Sequence, residues 1–308
     1  MRWNLQVFAT IILFFTAHSS FSQKLQDRNL IKNLVFLSSD ELKGRESGTP
    51  ENLRARDYIK EQFIGMGLET QYPDFFQEFR FTSRRENTTI TGFNVVGFVP
   101  GTESKKIIVI TAHFDHVGIG RPTAAGDSIY NGADDNASGT AALIEMARYF
   151  SQNPPKHSMI FAALDAEEKG LQGAKALVED FPFELDQILL NINMDMISRN
   201  EAGELYVSGT HYYPEYRALL EEVSEGKKPT LKFGHDTPGT GREDWTRSSD
   251  HGAFFDKKIP HLYFGVEDHE DYHQPSDEYS QVNPRFFVDA SHLILACIEK
   301  IDQDFIIP

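Results

Sequence analysis

Residues 107–118 read IIVITAHFDHVG, an apolar run that ends in two histidines and an aspartate. Two later stretches have the same form: MIFAALDAEE at residues 159–168 and ILLNINMD at residues 188–195. Short, nearly continuous apolar runs of this kind are typical of strands that are buried on both faces of a sheet. We therefore predict three such strands, each followed by acidic or histidine side chains.

The segments between these strands have helical periodicity. In residues 138–151 apolar side chains recur at the i, i+3, i+4, i+7 spacing of one helix face, namely Leu143, Met146, Ala147 and Phe150. A second helix is predicted over 170–180. Strands that alternate with amphipathic helices predict an α/β protein with three layers, α/β/α, around a central mixed, mostly parallel sheet.

The outer segments fit around this centre. Two helices are predicted within 27–66 and a hairpin within 74–99. Beyond the third strand, short strands are predicted at 205–208, 231–233 and 261–264, a helix near 214–225, and a last helix that begins at Asn283-Pro284. No repeat and no long Pro/Gly linker interrupts the chain, so residues 23–308 are predicted to form a single catalytic domain.

The composition excludes several classes of protein. The chain has 308 residues, of which 40% are hydrophobic, so it is neither disordered nor a coiled coil. Its net charge of −16 would repel phosphate backbones, which argues against nucleic-acid partners. The chain has one cysteine, Cys297, which excludes an internal disulfide and a cysteine-based metal site. A metal would have to be held by His, Asp and Glu.

The amino terminus has the pattern of a secretory signal peptide. Arg2 precedes an apolar core at 7–17, and a small-x-small sequence at 20–22 precedes Gln23. We predict that residues 1–22 are removed and that the protein is secreted or periplasmic. The apolar run is short for a membrane span, and no later segment resembles one. Nothing in the sequence indicates an oligomeric state.

Acidic and histidine side chains follow the predicted strands at the end where open α/β sheets bind ligands. Several carboxylates brought into one crevice repel each other and need cations to neutralise them. Imidazole together with carboxylate suits zinc, and an incomplete ligand set leaves a position for catalysis. The residues therefore predict a metal-dependent site.

The same stretches resemble the co-catalytic zinc exopeptidases, the family of secreted bacterial leucyl aminopeptidases and glutamate carboxypeptidase. The resemblance is carried in chain order by residues 37–63, AHFDHVG (112–118), NGADDNASGTAAL (131–143), LDAEEKGLQGA (164–174), NMDM (193–196), SDHGAFF (249–255) and YHQPSD (272–277). It implies the three-layer fold and a two-zinc hydrolase. Co²⁺ and Mn²⁺ are alternatives to Zn²⁺ because they accept the same ligands.

The resemblance also implies the metal ligands. His113 and Asp195 would hold one ion, Glu168 and His273 the other, and Asp135 would bridge both. It further implies a cis peptide between Asp135 and Asn136. His116 lies beside the first motif, but the family does not use that position as a ligand.

Three further residues receive catalytic roles from the resemblance. Glu167 is the expected general base that takes a proton from the attacking water and passes it to the leaving amine. Asp115 is expected to hold the ring of His113, since residues two apart on an extended chain point to one side. Tyr272 matches a tyrosine that hydrogen-bonds the developing oxyanion in some relatives.

The expected activity is that of an aminopeptidase acting on peptides or small aminoacyl substrates, because an acidic pocket suits a free amino terminus. A carboxypeptidase or aminoacyl-amide hydrolase of the same fold is the alternative, with Arg199, Arg242 and Arg247 as candidates to bind a carboxylate. Glutaminyl cyclase relatives depart from the two-metal pattern, and non-catalytic relatives lose ligands. Both are weaker alternatives.

Overall fold

The computed structural model describes residues 24–83 and 87–304. Ten strands are found there: β1 (Phe76–Thr82), β2 (Thr89–Val99), β3 (Ser104–His113), β4 (Gly118–Ile119), β5 (Ile129–Tyr130), β6 (His157–Leu164), β7 (Ile188–Met194), β8 (Glu204–Ser208), β9 (Thr230–Phe233) and β10 (His261–Gly265). The seven α-helices of the same residues are α1 (Asp27–Leu37), α2 (Pro50–Gly65), α3 (Gly139–Gln152), α4 (Gln172–Glu179), α5 (Arg217–Ser224), α6 (His251–Asp256) and α7 (Pro284–Asp304).

Eight of the described strands form one sheet in the order β1-β2-β6-β3-β7-β10-β8-β9. The neighbours β6/β3, β3/β7, β7/β10 and β8/β9 are parallel, whereas β1/β2, β2/β6 and β10/β8 are antiparallel. The predicted α/β fold with a mixed, mostly parallel sheet is confirmed. Because β6, β3, β7 and β10 are adjacent and parallel, their carboxyl ends meet at one edge of the sheet.

The two faces of β3 pack against different helices. Ile108 and Ile110 lie in a core shared with α1, α2, α3 and α7, while Ile107 and Val109 lie in a second core shared with α4 and α6. Both sets of side chains are almost completely buried. This two-sided burial explains why the strand is nearly all apolar, and it gives the three layers that the sequence predicts.

Some local structure differs from the predictions. The helix predicted over 170–180 begins only at Gln172, because Glu167 to Leu171 form a turn with Leu171 at φ 60°. The short helix α6 and the small β4/β5 hairpin were not predicted, since elements of two to six residues have too few positions to show a period.

The predicted signal peptide at 1–22 lies outside the described residues. Among the helices of residues 24–83 and 87–304, none has both the length and the apolar character needed to cross a membrane. The division into a signal peptide and one domain therefore stays a prediction.

Candidate active site

The predicted site residues gather at the carboxyl edge of the parallel strands. His113 is the last residue of β3, Asp195 follows β7 directly, and Glu167 and Glu168 lie in the turn after β6. Asp135 comes from the segment between β5 and α3, in which the Asp135–Asn136 peptide is cis, as the resemblance implies. His273 lies in the loop after β10.

A first cluster is formed by His113, Asp135 and Asp195. The Nε2 atom of His113 lies 3.3 Å from Asp135 Oδ1 and 3.4 Å from Asp195 Oδ1. Ligand atoms around one tetrahedral zinc ion lie about 3.3 Å apart when each metal–ligand distance is about 2.0–2.1 Å. The spacing of these three atoms fits one metal ion.

A second cluster is formed by Asp135, Glu168 and His273. The Nε2 atom of His273 lies 3.1 Å from Asp135 Oδ2 and 3.1 Å from Glu168 Oε1. Asp135 thus directs one carboxylate oxygen to each cluster, which is the arrangement that a bridging ligand needs. All five predicted ligands are brought together, in the predicted pairs.

Several buried atoms of these clusters form no hydrogen bond among the described residues, although they lie within ion-pair distance of one another. They include His113 Nε2, Glu168 Oε1 and Asp195 Oδ1. An unpaired polar atom in the interior costs about 1–3 kcal/mol, so natural proteins seldom leave one without a reason. Metal coordination would satisfy all three atoms, and the donor set of imidazole and carboxylate suits zinc.

Asp115 contacts the ring of His113 through two oxygen atoms. His113 Nδ1 lies 3.2 Å from the backbone carbonyl oxygen of Asp115 and 3.7 Å from its carboxylate Oδ1. The carboxylate also accepts a hydrogen bond from the backbone N–H of Glu167 at 3.0 Å. Asp115 therefore connects the end of β3 to the turn that carries Glu167, and its backbone oxygen makes the nearest contact with the ring.

Glu167 and Tyr272 line a pocket together with Asp135 and Asp195, two of the predicted ligands. The lining residues are Asp135, Glu167, Asp195, Met196, Trp245, Ser248, Tyr263, Val266, Asp268 and Tyr272. Burial raises the pKa of Glu167 well above its ordinary value, the nearby His113 lowers it, and the carboxylates of Glu168, Asp250 and Asp195 raise it. The ring of Tyr272 stacks on that of His273 with centroids 4.0 Å apart.

A buried polar layer holds the segment that carries Asp135. Both carboxylate oxygens of Asp277 accept hydrogen bonds from the backbone N–H groups of Asp134 and Asp135. Arg45, which is fully buried, donates to the carbonyl oxygens of Leu37, Phe114, Asn131 and Gly132. The sequence motifs contained both residues, but no local pattern indicated these long-range contacts.

Other side chains near the site have structural partners. Asp134 accepts hydrogen bonds from the backbone N–H of Ser198 and from His269 Nε2. His251 is buried outside the pocket lining, and its Nε2 contacts the carbonyl oxygen of Trp245 at 2.7 Å. Asp250, also buried, lies outside the lining as well. The side chain of His251 therefore supports Trp245, which lines the pocket, by contacting the backbone of Trp245.

The structure places His116, which is not among the predicted site residues, beside the second cluster. Its ring is fully buried, and its Nδ1 atom lies 2.9 Å from Glu168 Oε1 and 3.7 Å from Asp135 Oδ2. The repeated histidine in HFDH was the available signal in the sequence. The resemblance assigns no ligand role to this position.

The family model for peptidase family M28 matches residues 94–298. Aminopeptidase YwaD of Bacillus subtilis is 30% identical over 223 residues, which are 68% of this chain and 45% of the relative. The alkaline phosphatase isozyme conversion protein of Escherichia coli is 31% identical over 163 residues, 49% of this chain and 46% of the relative. The aligned region thus spans about half the length of these relatives.

Solved structures share the fold at low sequence identity. A leucine aminopeptidase precursor from Bacteroides thetaiotaomicron aligns with a TM-score of 0.73 and 18% identity, covering 90% of this chain and 98% of that one. The aminopeptidase from Aneurinibacillus sp. strain AM-1 aligns with a TM-score of 0.68 and 17% identity, covering 90% and 94%. A glutaminyl cyclase from Bacteroides thetaiotaomicron aligns with a TM-score of 0.72 and 18% identity, covering 90% of this chain and 98% of that one. Because aminopeptidases and a cyclase share this fold, the fold by itself does not identify the reaction.

Proposed function

The chain belongs to peptidase family M28, and we propose that it is a zinc-dependent aminopeptidase that removes amino-terminal residues from peptides. The observation that carries this proposal is the pair of clusters that share Asp135, with Glu167 beside them in an acidic pocket. Such an arrangement suits metal-assisted hydrolysis of a peptide bond.

Two zinc ions would be held by the five predicted ligands, one by His113 and Asp195, the other by Glu168 and His273, with Asp135 shared. When bound, they would supply an activated water and polarise the scissile carbonyl. The unpaired buried atoms of His113, Glu168 and Asp195 support this assignment.

Glu167 would act as the general base. Its carboxylate lines the pocket, while its backbone N–H is fixed by the Asp115 carboxylate at 3.0 Å. Enclosure and nearby carboxylates raise the pKa of Glu167, which favours the uptake of a proton from water and its transfer to the leaving amine. Tyr272 lines the same pocket, and its hydroxyl would donate to the developing oxyanion.

The charges of the pocket favour a free amino group over a carboxylate. Its lining includes Asp135, Glu167, Asp195 and Asp268, and no Lys or Arg is among its described residues. Arg199, a candidate for carboxylate binding, is paired with Asp271, with Nη1 2.5 Å from Oδ2. Arg247 is paired with Asp256 and lies over the ring of Phe255, and Arg242 is exposed in the turn 241–243. None of the three lines the pocket.

The proposal is tested with three substrates. The first is an aminoacyl arylamide with a free amino group, the second is its N-acetylated form, and the third is an N-acetylated peptide with a free carboxylate. We expect hydrolysis of the first alone, loss of activity after chelation, and recovery with Zn²⁺, Co²⁺ or Mn²⁺. Release of the carboxyl-terminal residue from the third substrate would indicate a carboxypeptidase. Cyclisation of an amino-terminal glutamine with release of ammonia would indicate a cyclase.

For location, we infer that residues 1–22 are a secretory signal peptide and that the enzyme is secreted or periplasmic. The support is the sequence pattern of Arg2, the apolar core at 7–17 and the small-x-small site before Gln23. The intact mass of the exported product should correspond to a chain that begins near residue 23. A full-length product confined to the cytoplasm would contradict this.

A further inference from the structure

We propose that His116 is an additional ligand, through Nδ1, to the metal ion held by Glu168, His273 and Asp135. This inference rests on the proposed function, because it concerns the same metal centre. It gives that ion four protein side chains as ligands, whereas the ion at His113 and Asp195 has three.

The first observation is the direction of the imidazole. His116 Nδ1 lies 2.9 Å from Glu168 Oε1 and 3.7 Å from Asp135 Oδ2, the same two oxygen atoms that His273 Nε2 approaches at 3.1 Å. Two atoms bound to one zinc ion at about 2.0–2.1 Å are at most about 4.1 Å apart, so both separations are compatible with shared coordination of one ion.

The second observation is that Nδ1 has no hydrogen-bond partner among the described residues. Nδ1 lies within ion-pair distance of Glu168 Oε1, at 2.9 Å, and the hydrogen bonds of the described residues satisfy neither atom. A cation placed between an imidazole lone pair and a carboxylate oxygen would satisfy both atoms. A neutral histidine with a lone pair on Nδ1 is a common zinc ligand.

The third observation is that the ring is held in place. Gly132, with φ at +54°, packs so closely that a Cβ atom there would lie 2.5 Å from His116 Cγ and 2.1 Å from the carbonyl oxygen of Asp135. The ring is completely buried and lies edge-to-face with His273, with centroids 5.7 Å apart. Its orientation is therefore set by packing before any metal binds, as a preorganised ligand requires.

The direct test uses the tautomers of the histidines in the zinc-loaded wild-type protein. His113 and His273 both present Nε2 to their clusters, whereas His116 presents Nδ1. Long-range ¹H–¹⁵N spectra distinguish a metal-bound Nδ1 from a metal-bound Nε2. We expect three zinc-bound histidines, one of them bound through Nδ1. Two histidines bound through Nε2, with none bound through Nδ1, would overturn the inference and leave the proposed function intact.

A pair of variants supplies an independent readout. H116F keeps a ring against Gly132 but removes the nitrogen, and H261F makes the same change at another fully buried histidine whose ring nitrogens lack partners. His261 is surrounded by Tyr213, His251 and Phe255 rather than by the acidic clusters. Competition with a chelator measures the affinity of each variant for its two zinc ions. For the more weakly bound of the two ions, the affinity of H116F should be at least about tenfold lower than that of H261F. Equal affinities in the two variants would overturn the inference.

Hydrolysis by the zinc-loaded wild type is measured in parallel. A histidine bound to zinc through Nδ1 in a protein that hydrolyses no free-amine substrate would support this inference while contradicting the proposed aminopeptidase activity.

Discussion

Glu167 and Glu168 are adjacent in the chain but have different surroundings. The Oε1 atom of Glu168 is 3.1 Å from His273 Nε2, whereas Glu167 faces the pocket. Burial acts to raise the pKa of both carboxyls. The pKa of Glu167 is raised well above its ordinary value, whereas the contacts with His116 and His273 lower the pKa of Glu168 to about 2. One carboxylate is suited to bind a cation and the other to accept a proton.

This difference predicts distinct defects for the same conservative substitution. E167Q leaves all five proposed ligands in place but removes the proton acceptor, so it should bind two zinc ions and lose about 10²–10⁴-fold in kcat. E168Q removes a ligand and should lose metal as well as activity. Elemental analysis and steady-state kinetics on both variants check this.

The opposite result would exchange the two roles. If E167Q lost metal while E168Q kept both ions, Glu167 would be the ligand and Glu168 the base. If both variants stayed fully active, neither residue would take part in the reaction.

At the scale of elements, α7 is fastened to the start of β6 by one carboxylate. Asp302 Oδ1 accepts hydrogen bonds from the backbone N–H of His157 and from its Nδ1, and Oδ2 accepts one from the backbone N–H of Lys156. Partial burial acts to raise the pKa of Asp302, but these hydrogen bonds outweigh it and lower the pKa below its ordinary value. The pairing thus stabilises the folded state through the ionised carboxylate.

We expect D302N to reduce the free energy of unfolding by about 1–3 kcal/mol at pH 7, because an amide cannot accept all three hydrogen bonds. The folded-state pKa is lowered, so this stabilisation is complete above the unfolded pKa of about 3.9 and is lost as the pH falls through the lower folded value. The difference between wild type and D302N should therefore shrink below about pH 4. Urea unfolding across pH checks this.

Asp304 provides the control on the same helix. Among the described residues its carboxylate forms an ion pair with Lys300 alone, at 2.7 Å, and it is half exposed. D304N should change the unfolding free energy by less than about 1 kcal/mol at any pH, since exposed ion pairs contribute little. Equal effects of D302N and D304N would show that the pairing with β6 does not stabilise the fold.

For the whole molecule, the features that the sequence predicted are those that depend on local patterns of apolar and polar residues. The apolar runs of β3, β6 and β7 identified buried parallel strands, and because parallel strands share one edge, their terminal polar residues predicted where the site would form. The direction of His116 was not predictable in this way. It lies three residues past the end of β3, where the chain has left the strand and the alternation of side chains no longer applies.

The contacts that support the site were also beyond the sequence pattern. Arg45 donates to carbonyl oxygens up to 87 residues away, and Asp277 binds backbone groups more than 140 residues away. Such contacts depend on how distant elements pack. A charged side chain gives the same signal in the sequence whether it is exposed or, like Arg45, completely buried.

The proposed metal centre also predicts how the stability of the whole protein responds to zinc. Without metal, Asp135, Glu168 and Asp195 are brought close together, and their neighbouring imidazoles are those of His113, His116 and His273. Each site filled at about 100 times its Kd adds about 2.7 kcal/mol to the free energy of unfolding. Two sites should raise the Tm by on the order of 10 °C in a domain of this size. Calorimetry of metal-free protein with and without zinc measures this shift in Tm.

D135N is the control. Removing the shared carboxylate weakens both sites, so this variant should lose most of the zinc-dependent shift in Tm. An equal shift in D135N, or no shift in the wild type, would contradict the two-ion site.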